Sequence, residues 1–155
     1  MSAKFIFRKV LVGYDGSKGA KAALECAAAM AGEHGIAVTA LWVRRPLPRY
    51  SDLLGEVKGE KEAADEYYSA CCTEVFRVAK RHGIDIRCKT SRGHPAKTIL
   101  RVADEDGYDL IVIGHSDHSE LWGRLLGDTA DRIVDHAHCS VLVVKKQETD
   151  FHTVS

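Results

Sequence analysis

Residues 115–120 read His-Ser-Asp-His-Ser-Glu, a dense run of side chains able to move protons or ligate a metal. Imidazole and carboxylate suit zinc, so a transition-metal site is one reading. The run has no helical i, i+4 histidine pair and no certain third ligand, and a solvated polar loop is the other reading. His136-Ala137-His138-Cys139 is a second imidazole and thiol run, read as connector chemistry ahead of a strand. Cys26, Cys71, Cys72, Cys88 and Cys139 are odd in number and lack C-x-x-C spacing, so no disulfide framework is expected and a reducing cytoplasm is the default. Cys71 and Cys72 are adjacent; a redox role is one reading, and one buried plus one half-exposed thiol on an amphipathic helix is the other. Arg44, Arg45 and Arg49 form a small basic patch, read as solvated loop charge with phosphate or partner binding as the alternative. Neither a G-x-S-x-G elbow nor a G-x-x-x-x-G-K-[ST] loop occurs, so nothing places a nucleophile or base and the chain is not read as an enzyme.

The 155 residues, 45 % apolar and 28 % charged, fit one globular domain. Lysine plus arginine and aspartate plus glutamate are 22 each. Zero net charge argues against a general nucleic-acid binder while leaving room for a local anion site. No apolar run approaches the ~18 residues of a membrane span. Lys4, Arg8 and Lys9 interrupt the apolar N-terminus and no cleavage site follows, so no signal peptide is expected.

The elements that must position these residues alternate. Residues 5–13 end in a continuous apolar run, as in a strand buried on both faces. Asp15-Gly16-Ser17 breaks it, and Ser17 is an N-cap for a helix over 18–34 with an alanine face. Gly35 stops that helix. A second strand covers 36–43, the proline-bearing stretch 44–57 reads as a loop, and residues 58–82 return to helical period. A third strand over 84–91 alternates and belongs near an edge. Pro95 opens a third helix, 109–114 is a strong apolar strand, 124–137 a last helix and 140–145 a fifth strand. Residues 1–146 read as one domain and 147–155 as a mobile tail. Alternation of this kind implies a doubly wound α/β fold with a parallel sheet and helices on both faces. Ligands of such sheets bind beyond the carboxyl ends of the strands. That places Asp15, Val43 onward and Gly114 onward in the candidate site.

Five segments in order, V-L-V-G-Y-D-G-S (10–17), G-H-P-A-K-T-I-L (93–100), D-L-I-V-I-G (109–114), L-L-G-D-T-A-D-R-I-V (125–134) and C-S-V-L-V-V (139–144), resemble the universal stress protein family. The resemblance covers roughly residues 5–146. It implies a five-stranded sheet of order 3-2-1-4-5, a dimer, and in many members ATP or AMP binding. It implies that Asp15 meets ribose, that backbone at Val43 meets adenine, and that Gly114 and Gly127 belong to a phosphate loop. Glycines there let main-chain N–H groups approach phosphate, and the following turn presents a helix N-terminus. The second glycine of the signature is replaced by Asp117 and its hydroxyl by Asp128, with Thr129 one step late. His115, when protonated, is a candidate phosphate donor. Asp15 has a plainer reading as an Asx turn.

Both replacements put a carboxylate where phosphate would sit. Residues 114–128 carry Asp117, Glu120 and Asp128 against Arg124 alone, a net −2 with histidines neutral. A carboxylate and a phosphate about 5 Å apart at a dielectric near 20 repel by roughly 3 kcal/mol, against about 1 kcal/mol for a lost hydrogen bond. Metal-free ATP is therefore disfavoured. AMP or adenosine fits better, and ATP requires a cation such as Mg²⁺ held by Asp117 or Asp128. The expectation is a cytoplasmic stress-response regulator or sensor with an altered adenine-nucleotide pocket. It pairs as a homodimer through residues 140–146, whose exposed strand edge needs cover. A dimeric interaction protein that binds no nucleotide and a metal-dependent nucleotide hydrolase are the alternatives.

Overall fold

The computed structural model describes residues 6–45, 54–115 and 127–145. Among them the order is β1 (Lys9–Gly13), α1 (Lys18–His34), β2 (Ala37–Arg44), α2 (Leu54–His82), β3 (Ile86–Arg92), α3 (Pro95–Glu105), β4 (Leu110–Gly114), α4 (Asp128–His136) and β5 (Ser140–Val144). The strands form one parallel sheet of order β3-β2-β1-β4-β5. The strand order reverses beside β1, the position at which an open α/β sheet leaves a crevice.

Period-2 alternation builds two cores. Val10, Val12, Val38, Ala40, Leu110 and Val112 face α1 and α2, with Leu24, Ala27 and Val75 filling the layer. Leu11, Leu41, Ile111 and Ile113 face the other way and meet Ile99, Val102 and Ile133 of α3 and α4. The central strands β1 and β4 are thus apolar on both sides. The buried face of α1 is Gly19, Ala20, Ala23, Leu24, Ala27, Ala28 and Ala31, small enough for the helix to lie close on the sheet.

Strand ends shift by a residue from the sequence reading at β2, β4 and β5, and other boundaries differ further. Pairing of β1 begins at Lys9, not at residue 5. The N–H groups of Arg8 and Lys9 donate to the Asp109 carboxylate at 2.9 and 3.0 Å, and Ile6 is 77 % exposed. β3 begins at Ile86, two residues later than expected, after Gly83 and Ile84 close the turn onto α2 through their N–H groups. α2 begins at Leu54, four residues early; past Pro48 only Gly55 and Gly59 oppose helix, at about 1 kcal/mol each. The described part of the last helix starts at Asp128; residues 124–126, like the tail from 147, lie outside the described residues.

Candidate functional site

At the end of β1, Tyr14 is buried and its N–H donates to the Leu41 carbonyl at 2.9 Å. Burial first, then neighbouring negative groups, push its hydroxyl up to about 12. Asp15 is exposed, and its Oδ1 accepts the Ser17 N–H at 2.9 Å. Gly16 takes φ +81°, where a side chain is strained. The Ser17 hydroxyl accepts the Ala20 N–H at 3.2 Å and caps α1. Asp-Gly-Ser therefore encodes its own turn, and the Asx-turn reading of Asp15 holds. One carboxylate oxygen serves that turn, which fixes the direction of the other. The Tyr67 hydroxyl of α2 donates to the Asp15 carbonyl, so α2 also holds the turn from above.

Gly114 ends β4, and its neighbour is α1. A methyl on Gly114 would overlap the Gly19 backbone, and one on Gly19 would sit 2.6 Å from the His115 carbonyl oxygen. The glycine at 114 is thus required by helix-on-strand approach, where the sequence reading gave it only a phosphate role. The same contact sets the first turn of α1, which follows directly on the Asp15 turn, against Gly114–His115. The His115 N–H donates to the Val144 carbonyl at 2.9 Å and ties this end of β4 to β5.

Gly127 is the N-cap of α4, with φ −72° and ψ 165°, open to any residue. Its carbonyl accepts the Asp131 N–H at 2.9 Å. Asp128 and Thr129 are the first residues of α4, and Asp128 and Asp131 put two carboxylates in its first turn. That turn already carries the negative charge its dipole favours. Asp117, with His118, Glu120, Gly123 and Arg124, lies outside the described residues. So does all of the 115–120 metal reading beyond His115. Among the described residues no cluster fit to hold a metal occurs. His138 instead meets Asp104 at 3.0 Å.

Val43 is the penultimate residue of β2, with its side chain half-buried against the α3–α4 core. Its neighbours form a group that the sequence reading missed. Trp42 stacks on Tyr68 at 5.8 Å between ring centres and meets Tyr67, tilted, at 5.1 Å. The Arg44 guanidinium lies over Trp42 at 5.3 Å and pairs with Asp65, whose carboxyl it holds below its ordinary value by hydrogen bonding. Arg44 is only 14 % exposed in its side chain, which corrects its reading as solvated loop charge: it ends β2 and is covered by α2. A W-x-R next to helical Tyr-Tyr was the available signal. Chemically, this end of the sheet offers a carboxylate oriented by its turn and an aromatic wall. Those are parts for binding a polar ring compound.

The sequence pattern of the Universal stress protein family matches residues 6–145. The chain belongs to the universal stress protein family. A universal stress protein of Methanocaldococcus jannaschii is 31 % identical over 147 residues, covering 94 % of this chain and 86 % of that one. The universal stress protein UspA of Lactobacillus plantarum superposes with a TM-score of 0.76 at 29 % identity, covering 89 % of this chain and 97 % of that one. A universal stress protein solved in complex with cAMP gives a TM-score of 0.69 at 24 % identity, covering 92 % of this chain and all of its own. The five-stranded sheet order implied by the resemblance is the one observed.

Proposed function

We propose that this universal stress protein is a cytoplasmic regulator that senses an adenine mononucleotide, AMP or adenosine in preference to metal-free ATP. The carrying observation is the packing of Gly19, in the first turn of α1 just after the Asp15 turn, against Gly114–His115 where strand order reverses. Asp15 would accept ribose hydroxyls and main chain at Val43 would meet the adenine edge. A single phosphate would lie toward Gly114, His115 and the N-terminus of α4 around Gly127 and Thr129. The carboxylates of Asp128 and Asp131 there support a short phosphate chain over a long one, since each phosphate added would meet charge of its own sign. A fold relative carries cAMP, itself a monophosphate. ATP would need Mg²⁺ at Asp117 or Asp128. No helix among the described residues is long and apolar enough to cross a membrane.

Calorimetric titration with AMP, adenosine and ATP, each with and without Mg²⁺, tests this reading. AMP or adenosine is expected to bind, Asp15→Ala to weaken binding at least about tenfold, or 1.4 kcal/mol, and ATP to bind only with Mg²⁺. Silence across the panel from folded protein overturns the reading and favours a protein-interaction role. Mg²⁺-dependent product formation would favour a hydrolase.

A further inference from the structure

Three thiols line one cleft between α2 and β3: Cys71, Cys72 and Cys88, with Tyr68 and Lys89 beside them. Cys88 sits in β3 opposite Ala40 of β2, on the sheet face that α2 covers. Cys72 and Cys88 are both half-buried, so small solutes reach them. Cys71 is buried, 7 % exposed, and packs in the core with Val75. Burial first, and then the Cys72 thiol beside it, push the Cys88 thiol up to about 12. Burial and then a hydrogen bond to Cys72 push the Tyr68 hydroxyl up to about 12 as well. The Cys72 sulfur is therefore the point on which a thiol and a phenol converge. The three sulfurs do not make a metal-holding set. Successive residues of a helix diverge by about 100°, so Cys71 and Cys72 are poorly placed to bridge each other.

We propose that Cys72 and Cys88 are a peroxide-oxidisable dithiol, a modification site whose disulfide ties α2 to β3. The Cys72 thiolate attacks one oxygen of hydrogen peroxide. The O–O bond breaks, hydroxide leaves and takes up a proton as water, and Cys72 becomes a sulfenic acid. The Cys88 sulfur then attacks the Cys72 sulfur. The S–S bond forms, the S–O bond breaks, and the departing hydroxide takes the Cys88 proton as a second water. Two thiols lose two electrons and one peroxide gains them. Cys88 packs against the core beneath α2 and Cys72 does not, so Cys72 reacts first and Cys88 resolves.

The full chain is exposed to hydrogen peroxide, free thiols are blocked with a maleimide, and a non-reducing tryptic digest is read by mass spectrometry. The five thiols of the chain are expected to fall to three, with residues 62–77 joined to 88–89 and monomer mass kept. Cys71→Ser is expected to retain the link; Cys72→Ser and Cys88→Ser are expected to abolish it. The wild-type map stands even where a variant misfolds. A link through Cys71, a link between two chains, a sulfinic acid on Cys72 with Cys88 free, or five thiols retained by folded protein while unfolded protein loses them would each overturn the proposal.

Discussion

On the proposed reading, two aspartates would govern which nucleotide this chain holds. Asp128 opens α4, where a helix dipole would otherwise attract phosphate, and Asp117 stands at the signature's second glycine. Each is worth roughly 3 kcal/mol of repulsion against a phosphate about 5 Å away. Asp117→Gly with Asp128→Ser is therefore expected to raise metal-free ATP affinity about tenfold or more, measured by calorimetry beside the wild type. An unchanged affinity in a double variant that melts normally would refute the electrostatic account. At this scale the sequence was legible wherever a residue's partners are local. Asp15, Gly16 and Ser17 settle their turn among themselves, and D-G-S announces it. Arg44 was misread because its partners Asp65, 21 positions on in α2, and Trp42 are set by helix placement and by stacking, neither of which leaves a periodic mark. The Cys72–Cys88 juxtaposition was hidden for the same reason: only the register of β2 with β3 and the seat of α2 bring the pair together.

At the scale of elements, α1 and β4 approach as closely as they do because two glycines face one another. Gly114→Ala is expected to cost about 1–3 kcal/mol, since the new methyl meets Gly19 backbone rather than a movable side chain. Gly59→Ala in α2 meets nothing within 4 Å and is expected to raise stability, by up to about 1 kcal/mol. Urea unfolding of both variants checks the pair, and the same sign in both would show the approach to be slack. Strands and helices were legible because burial imposes periods of 2 and 3.6 on the chain. The α1 alanine face, the Ser17 cap, Gly35 at φ +67° and Pro95 at the start of α3 were each readable from residue type. The need for glycine at 114 was not, because its cause stands 95 positions upstream on a helix. Strand ends were blurred where a side chain competes for main-chain donors, as Asp109 does at Arg8 and Lys9.

For the whole molecule, the sheet leaves β3 and β5 at its edges. Val141, Leu142, Val143 and Val144 are only half-buried in the single chain, although their side chains reach both cores. A strand so apolar and so incompletely covered calls for a second copy. Sedimentation is expected to give twice the 17.1 kDa chain mass. Val144→Lys is expected to shift the species toward monomer with the helical circular dichroism retained. A wild-type monomer at micromolar concentration would set the pairing aside. The position of β1 carries a consequence for how the chain is made. β1 takes β2 on one side, about 30 residues downstream, and β4 on the other, about 100 residues downstream. At ribosomal rates of about 5–20 residues per second, the second flank of β1 stays open for roughly 5–20 s after it is synthesised. During that interval the nascent chain presents Val10, Leu11 and Val12 along an unpaired edge, and a message truncated before codon 110 leaves that edge open for good. Protection during synthesis, more than stability once finished, is what this strand order demands of the cell.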